Sequence, residues 1–305
     1  VQNAYGHGLF TGGLGFHQGS TKLRCTTVPT SAGLTERQIT IMQDFGSNVL
    51  CATPSYALTI AERADELKVD IRSLPLRVGI FGAEPWTIQM RKEIEERMGI
   101  KAMEAFGLTE LGGPGVAFDC KEQNGLHINE DHYLAEVVDP STMEPLPLGE
   151  KGELIFTSLQ RKAMPMIRDR TKDITSLSRE KCSCGRTFLK MNKVFGRTDD
   201  MLKVKGVIVY PAAVTGLLET FSPRVTGEFR IVLTEEPPLV VPPMKIKIER
   251  GADFPADKLE GLEKDLLEAF HTKMKISPNI IWEEAGELER STYKGKKFEK
   301  AYEDN

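Results

Sequence analysis

Cysteine is scarce in this chain: five residues in 305, an odd number that cannot be fully paired. That scarcity excludes a disulfide-stapled secreted domain and points to a reducing, cytoplasmic compartment. A surplus of positive charge is missing too. Lys+Arg number 40 against 44 Asp+Glu, a net charge of -4, so no basic field exists for counterion-driven nucleic-acid binding. No window approaches ~18 consecutive apolar residues, which excludes a membrane-spanning helix. The first residue is Val1, not Met, with no charged-then-apolar leader after it. The expectation is a chain that carries no targeting signal and starts partway into a longer protein. What is present is a 40% hydrophobic content, enough to bury a sizeable core, at a length that suggests about two domains.

The opening stretch, 1–19, places Gly6, Gly8, Gly12, Gly13 and Gly15 among Tyr5, Phe10 and Phe16. Glycine at this density means close approach of the backbone to a ligand or to another element. It is no dinucleotide fingerprint, because Thr11 stands where the third glycine belongs. Helix and strand patterns then alternate. Thr35 with Gln38 reads as a capping box, with Ile39, Met42 and Phe45 on the apolar face and Gly46 as the stop. Strands are expected at 48–52, 78–81 and 100–105. Helices are expected at 54–67 and from a first turn at Pro85 through Trp86, Met90, Ile94 and Met98 to Gly99. This alternation predicts a parallel sheet covered by helices, whose ligands bind at the carboxyl ends of the strands. Gly82-Ala83-Glu84-Pro85 and Phe106-Gly107-Leu108-Thr109-Glu110 fall there.

Strand-like stretches follow at 133–139, 152–159 and 166–175, with a Pro/Gly turn at 145–149. After residue 196 the pattern is α+β. Strands are expected at 202–210, 229–233, 244–248 and 280–282, with a helix at 212–221. A second helix carries Leu259, Leu262, Leu266, Leu267 and Phe270, and 236–243 reads as a loop. Among the cysteines, Cys182-Ser183-Cys184-Gly185 is a tight turn able to present two thiolates. Cys120 and His127 would complete a tetrahedral Cys3His set for structural zinc. His132 competes as the nitrogen ligand, and three incidental cysteines are the alternative. Cys25 and Cys51 read as core.

FGLTE after a strand resembles the aromatic-Gly-x-Thr/Ser-Glu motif of the adenylate-forming superfamily. NAYGHGLFTGGLGF, GAEPW, EAFGLTELGGPGVA and NEDHYLAEVVDP resemble phenylacetate–CoA ligases, and the likeness runs along almost the whole chain. The resemblance implies an α/β fold. Residues 1–196 would be the C-terminal portion of the large domain, a helix-covered mostly parallel sheet plus a small β-barrel-like subdomain. Residues 197–305 would be a small mobile α+β domain. It implies an ATP-dependent ligase that converts an aryl acid, phenylacetate or a relative, to an acyl-adenylate and then to its CoA thioester. Nucleic acid and membrane are not partners, and homodimerisation is left open. A CxCGR turn like that of 182–186 occurs in many such ligases, where structural zinc is the natural reading.

The resemblance also implies roles. Lys294 would reach the acyl and α-phosphate oxygens, or Lys296 if the terminal motif slips. Glu110 would hold Mg2+, and Thr109 would contact phosphate. Phe106, beside Gly107, would stack on adenine, and Gly82, Ala83 and Glu84 would line the base and acyl pockets. Tyr5, Phe10, Ala83 and Gly112 would wall the acyl site. Asp173 would bind the ribose hydroxyls, Arg197 the ribose or phosphate side, and Asp199 would be the hinge that brings in a thiol-guiding surface from 203–211. Asp169 stands where the family pattern has an aromatic. The family's Ser/Thr/Gly-rich, lysine-containing phosphate loop does not occur in the 305 residues, which implies that the front of the large domain lies upstream of Val1. Two further readings follow: an inactive remnant that binds AMP or acyl-adenylate, and a zinc-stabilised interaction protein.

Overall fold

Three apolar runs near the N-terminus line up in parallel, as their spacing predicts, and the polar pair Gln2–Asn3 joins them as a further parallel strand. A computed structural model describes residues 1–204, 207–289 and 297–302, which divide into two units. The first is Val1–Thr171 with Thr175–Lys193; the second is Lys172–Ile174 with Val194–Asn305. In the first unit, β1 (Gln2–Asn3), β2 (Val49–Ala52), β3 (Val78–Gly82) and β4 (Lys101–Leu108) run parallel in that order. Helices α1 (Thr11–Lys22), α2 (Thr35–Phe45), α3 (Pro54–Glu66) and α4 (Ile88–Met98) are interleaved with them. The sheet continues antiparallel through β5 (Gly113–Phe118) and β6 (Leu126–Ile128). Two more strands, β7 (Tyr133–Val138) and β8 (Gly152–Ser158), pair antiparallel with each other. After β9 (Asp169–Thr175), short strands β10 (Leu177–Ser178) and β11 (Lys190–Met191) close the first sheet, β11 against β6.

Helix placement follows capping chemistry. Thr53 accepts from the Tyr56 amide with Pro54 at the first turn of α3, and Thr87 accepts from the Met90 amide to start α4. Gly99, in the left-handed region, ends α4. Pro85 therefore precedes the helix that it was expected to begin. The Thr35–Gln38 capping box does not form either: Leu34 is the N-cap, without a side-chain hydrogen bond. Gln38 Oε1 instead accepts from Gln2 Nε2 at 2.7 Å, and Gln38 Nε2 donates to the Ser31 carbonyl at 2.7 Å. The helices bury Ile39, Met42, Ile60, Ile94 and Met98 against Leu50 and Phe81 of the strands. Full burial of a side chain such as Phe81 contributes about 1.5–3 kcal/mol. Cys51 belongs to this interior, but Cys25 is exposed, because it follows the end of α1 instead of entering the sheet.

The second unit holds β12 (Gly196–Arg197), the hairpin β13 (Leu202–Val204) and β14 (Val207–Val209), α5 (Pro211–Glu219), β15 (Val225–Leu233), β16 (Leu239–Val240), β17 (Lys245–Arg250), α6 (Leu259–Met274), β18 (Asn279–Glu283) and β19 (Phe298–Lys300). The expected single strand at 202–210 is thus two antiparallel ones, and the Pro-rich loop contains β16. A four-stranded sheet in the order β18-β17-β15-β19 carries Phe229, Ile231, Ile246 and Ile248 into one core. Val214, Leu217 and Leu218 of α5 and Leu262, Leu266 and Phe270 of α6 fill the same core. The helical stripe read from the leucine spacing is the buried stripe. Among the described residues, no helix is long and apolar enough to cross a membrane.

Candidate functional site

The carboxyl end of β3 lies beside the middle of β4, Gly82 opposite Ala105. A Cβ on Gly82 would sit 2.1 Å from the Ala105 carbonyl, so only glycine permits this approach. Ala83 follows at φ +70, and the Glu84 carboxylate accepts from the Ser55 amide at 2.7 Å, tying the loop to the start of α3. Tyr5 stacks on Phe16 with centroids 5.1 Å apart and tilts against Phe10 at 5.9 Å. Burial, then the nearby Cys51 and Glu84, push the Tyr5 phenol pKa well above its usual value. Tyr5, Phe10, Glu84 and Gly82 thus belong to one neighbourhood.

The motif after β4 is placed differently from its sequence reading. The strand runs on to Leu108, so Phe106 and Gly107 are strand residues, and only Thr109 and Glu110 lie in the turn. Phe106 packs on Phe156, centroids 6.3 Å apart. Thr109 Oγ1 is 2.7 Å from Thr11 Oγ1, and the Gly112 amide closes the turn on the Thr109 carbonyl. Arg161 donates to the Glu110 carbonyl, while the Glu110 side chain is exposed. Burial, and after it the charge of Glu110, raise the pKa of Asp169. These two carboxylates are therefore neighbours, a pairing 59 residues apart in sequence that no local pattern shows.

Just upstream, Arg91 Nη2 bridges Glu104 Oε2 at 3.1 Å and Asp119 Oδ2 at 2.9 Å, with its guanidinium over the Trp86 ring. Burial outweighs Arg91 here and lifts the Glu104 carboxyl to about 7. The folded chain then keeps a proton that the unfolded chain loses above about 4.5, so stability should fall as pH rises from about 4.5 to about 7. Urea unfolding across this range checks it. Glu104→Gln is expected to flatten the slope, and an unchanged slope in that variant would assign it elsewhere.

In the second unit, Arg197 stands opposite Asp173 in the β9–β12 register. Its Nη1 is 3.1 Å from Asp173 Oδ1, while Nε and Nη2 both reach Asp199 at 2.9 Å. Lys172 Nζ adds a contact to Asp199 at 3.4 Å. Burial works against the Asp199 charge, but Arg197 and Lys172 prevail and hold its pKa below the carboxylate norm. The three residues singled out as ribose group, cation and hinge are thus one ion cluster. Lys294 and Lys296 lie outside the described residues, as do Lys205 and Gly206 in the 203–211 segment.

The four proposed metal ligands converge. Antiparallel pairing sets His127 of β6 beside Phe118 of β5 and Lys190 of β11, which brings in Cys120 from one side and the 182–185 turn from the other. Cys120 Sγ is 3.6 Å from Cys182 Sγ, Cys184 Sγ is 3.5 Å from His127 Nε2, and all four donor atoms lie within 4.8 Å of one another. Tetrahedral zinc with bonds of about 2.0–2.3 Å needs donors about 3.3–3.8 Å apart, so the donor set and its spacing fit. The Arg186 amide donates to Cys184 Sγ and, as the leading cause, brings that thiol down to about 7; burial takes Cys120 up to about 11. His132 is not in the cluster; its Nε2 lies 3.5 Å from Asp131 on the surface.

Known proteins resemble this chain along most of its length. The family described as AMP-binding enzyme matches residues 15–160, and the AMP-binding enzyme C-terminal domain matches 206–300. Phenylacetate-coenzyme A ligase of Thermus thermophilus is 46% identical over 272 residues, covering 89% of this chain and 61% of that protein. The enzyme of the same name from Aromatoleum evansii is 42% identical over 296 residues, covering 96% and 66%. A crystal structure of 2-hydroxyisobutyryl-CoA ligase in the postadenylation state, in complex with R3-HIB-AMP, superposes with a TM-score of 0.90 at 26% identity. That likeness covers 100% of this chain and 66% of the other. The chain belongs to the phenylacetate–CoA ligase family of adenylate-forming, AMP-binding enzymes. It spans a little under two thirds of the length of these two relatives.

Proposed function

We propose that this chain is the adenylate-handling part of an ATP-dependent, AMP-forming ligase that activates an aryl acid, phenylacetate or a close relative, and transfers it to coenzyme A in the cytoplasm. The observation that carries the reading is the parallel β3–β4 pair, from whose adjacent strands the Gly82–Pro85 loop and the Thr109–Glu110 turn both leave at the carboxyl end. It occurs in a chain 46% identical to a phenylacetate-coenzyme A ligase. The acid's carboxylate attacks the α-phosphate of ATP and pyrophosphate leaves; the CoA thiolate then attacks the acyl carbon and AMP leaves. The first half depends on positioning and electrostatics.

In this reading Phe106 and Gly107 present a flat surface to adenine, Gly82, Ala83 and Glu84 line the base and acyl pockets, and Gly112 leaves room beside the acyl group with Tyr5 and Phe10. Asp173 accepts the ribose hydroxyls, with Arg197 holding its orientation and offsetting phosphate charge. Thr109 contacts phosphate, and Lys294 brings a compact cation to the charge that develops in adenylation. Glu110, with Asp169 at its side, would hold Mg2+, which would neutralise phosphate charge when bound. Cys120, His127, Cys182 and Cys184 would hold zinc; four protein ligands leave no open position, so the metal's role is to pin β5, β6 and the 182–185 turn together. Residues 1–196 act as the large-domain portion and 197–305 as the mobile domain, with Asp199 as the hinge.

ATP–pyrophosphate exchange by the full-length polypeptide tests the reading. Exchange should require an aryl acid. Stabilisation by AMP without any exchange would favour the non-catalytic nucleotide-binding reading instead.

A further inference from the structure

Two side chains from outside the Thr109–Gly112 turn hold consecutive carbonyls within it. Arg161 donates to the Glu110 carbonyl, and the Tyr133 hydroxyl donates to the Leu111 carbonyl at 2.8 Å. The donors come from different parts of the chain. Tyr133 opens β7, where its ring meets Phe156 of β8 edge to face at 6.1 Å. Arg161 lies in the connection from β8 to β9, close enough to Tyr133 for its charge to oppose the burial that raises the Tyr133 phenol pKa. That connection is tied down on its own account. The Ser158 amide donates to the Met166 carbonyl at 2.8 Å and closes its neck. The Leu159 amide donates to the His132 carbonyl at 2.8 Å, and Gln160 Nε2 to the Asp131 carbonyl at 3.1 Å. Arg161 therefore reaches Glu110 from an anchored base.

The turn has little else to fix it. Its internal amide bonds are at the long end of the normal range, 3.2 Å from Leu111 to the Leu108 carbonyl and 3.1 Å from Gly112 to the Thr109 carbonyl. Gly112 and Gly113 follow at φ +111 and +103, a backbone that glycine visits readily and holds loosely. Resting on the reading above in which Glu110 holds Mg2+, we propose that Arg161 and Tyr133 are positioning residues that fix the Glu110 and Leu111 peptide groups and so aim the Glu110 carboxylate at the metal on the phosphates of ATP. Neither side chain touches metal or substrate in this role. A guanidinium suits it, being a permanent cation whose planar fork loses little freedom for each hydrogen bond formed. A ligand already held in place binds more tightly than one that must first be ordered.

Calorimetric binding of α,β-methylene-ATP to the full-length polypeptide, with and without Mg2+, tests the role without turnover. The readout is the factor by which Mg2+ tightens nucleotide binding. Arg161→Ala and Tyr133→Phe should each reduce that factor by roughly three- to tenfold, the worth of about one net hydrogen bond. Arg161→Lys should recover most of the loss, because an ammonium also donates to a carbonyl. In pyrophosphate exchange the same variants should raise the half-saturating Mg2+ concentration and leave KM for the aryl acid unchanged. On a Glu110→Ala background neither substitution should cost anything further, since both act through that carboxylate. A ratio of affinities is insensitive to loss of folded protein, and Tyr133→Phe keeps the ring that packs on Phe156. An unchanged factor in Arg161→Ala and Tyr133→Phe, or an equal loss on the Glu110→Ala background, overturns the positioning role and leaves Glu110 as metal ligand. A wild-type factor in Glu110→Ala itself overturns the metal reading and the proposal with it.

Discussion

A strong chelator is expected to lower the Tm of this protein by roughly 10 °C or more, with one zinc released per chain. The magnitude follows from two quantities. Structural zinc contributes about 10–16 kcal/mol of apparent binding free energy in small peptides, and even a few kcal/mol of it moves Tm by this amount in a domain of about 200 residues. The site joins segments far apart in sequence: Cys120 after β5, His127 in β6, and Cys182 and Cys184 in the turn before β11. Without the metal, three thiols and an imidazole within 4.8 Å have only weak hydrogen bonds to each other. His127→Ala and Cys184→Ser should reproduce the loss and abolish zinc retention. His132→Ala should not, since that side chain is on the surface, paired with Asp131. Metal analysis that finds no zinc, together with a Tm indifferent to chelator, would make the cysteines incidental.

Glu110→Ala is expected to reduce aryl-acid-dependent pyrophosphate exchange by roughly 10²–10³-fold, the usual cost of removing one group that stabilises developing charge. Its carboxylate is exposed and a hydrogen bond from Arg161 reaches its carbonyl, so the fold should not suffer and Tm should stay within about 1–2 °C of the parent. Asp169→Asn should give a smaller loss, because it removes the neighbouring charge and leaves Glu110 in place. Undiminished exchange in Glu110→Ala would remove this residue from the phosphate chemistry.

The parallel half of the first sheet was legible because its strands and helices announce themselves locally: apolar runs, with Gly46 and Gly99 as stops. Features set by distant partners were not. Gln38 fits a capping box by spacing, but its side chain is claimed by Gln2 from 36 residues away. Thr109 and Glu110 were recognisable as a motif, yet the division of that motif between strand and turn depends on where β4 leaves β5. The CxC turn pointed to a metal; choosing His127 over His132 required the β6–β11 register. Neither the Asp169–Glu110 neighbourhood nor the Arg91–Glu104–Asp119 network leaves any periodic trace, because each joins residues that only folding brings together.

Mass spectrometry of a reaction of the full-length polypeptide with ATP, Mg2+, coenzyme A and an aryl acid tests the central claim most directly, since it reads both half-reactions at once. The account predicts an aryl-CoA thioester and one AMP for each thioester formed. Hydrolysis of ATP to ADP, or no thioester with any aryl acid despite folded, zinc-loaded protein, would contradict it.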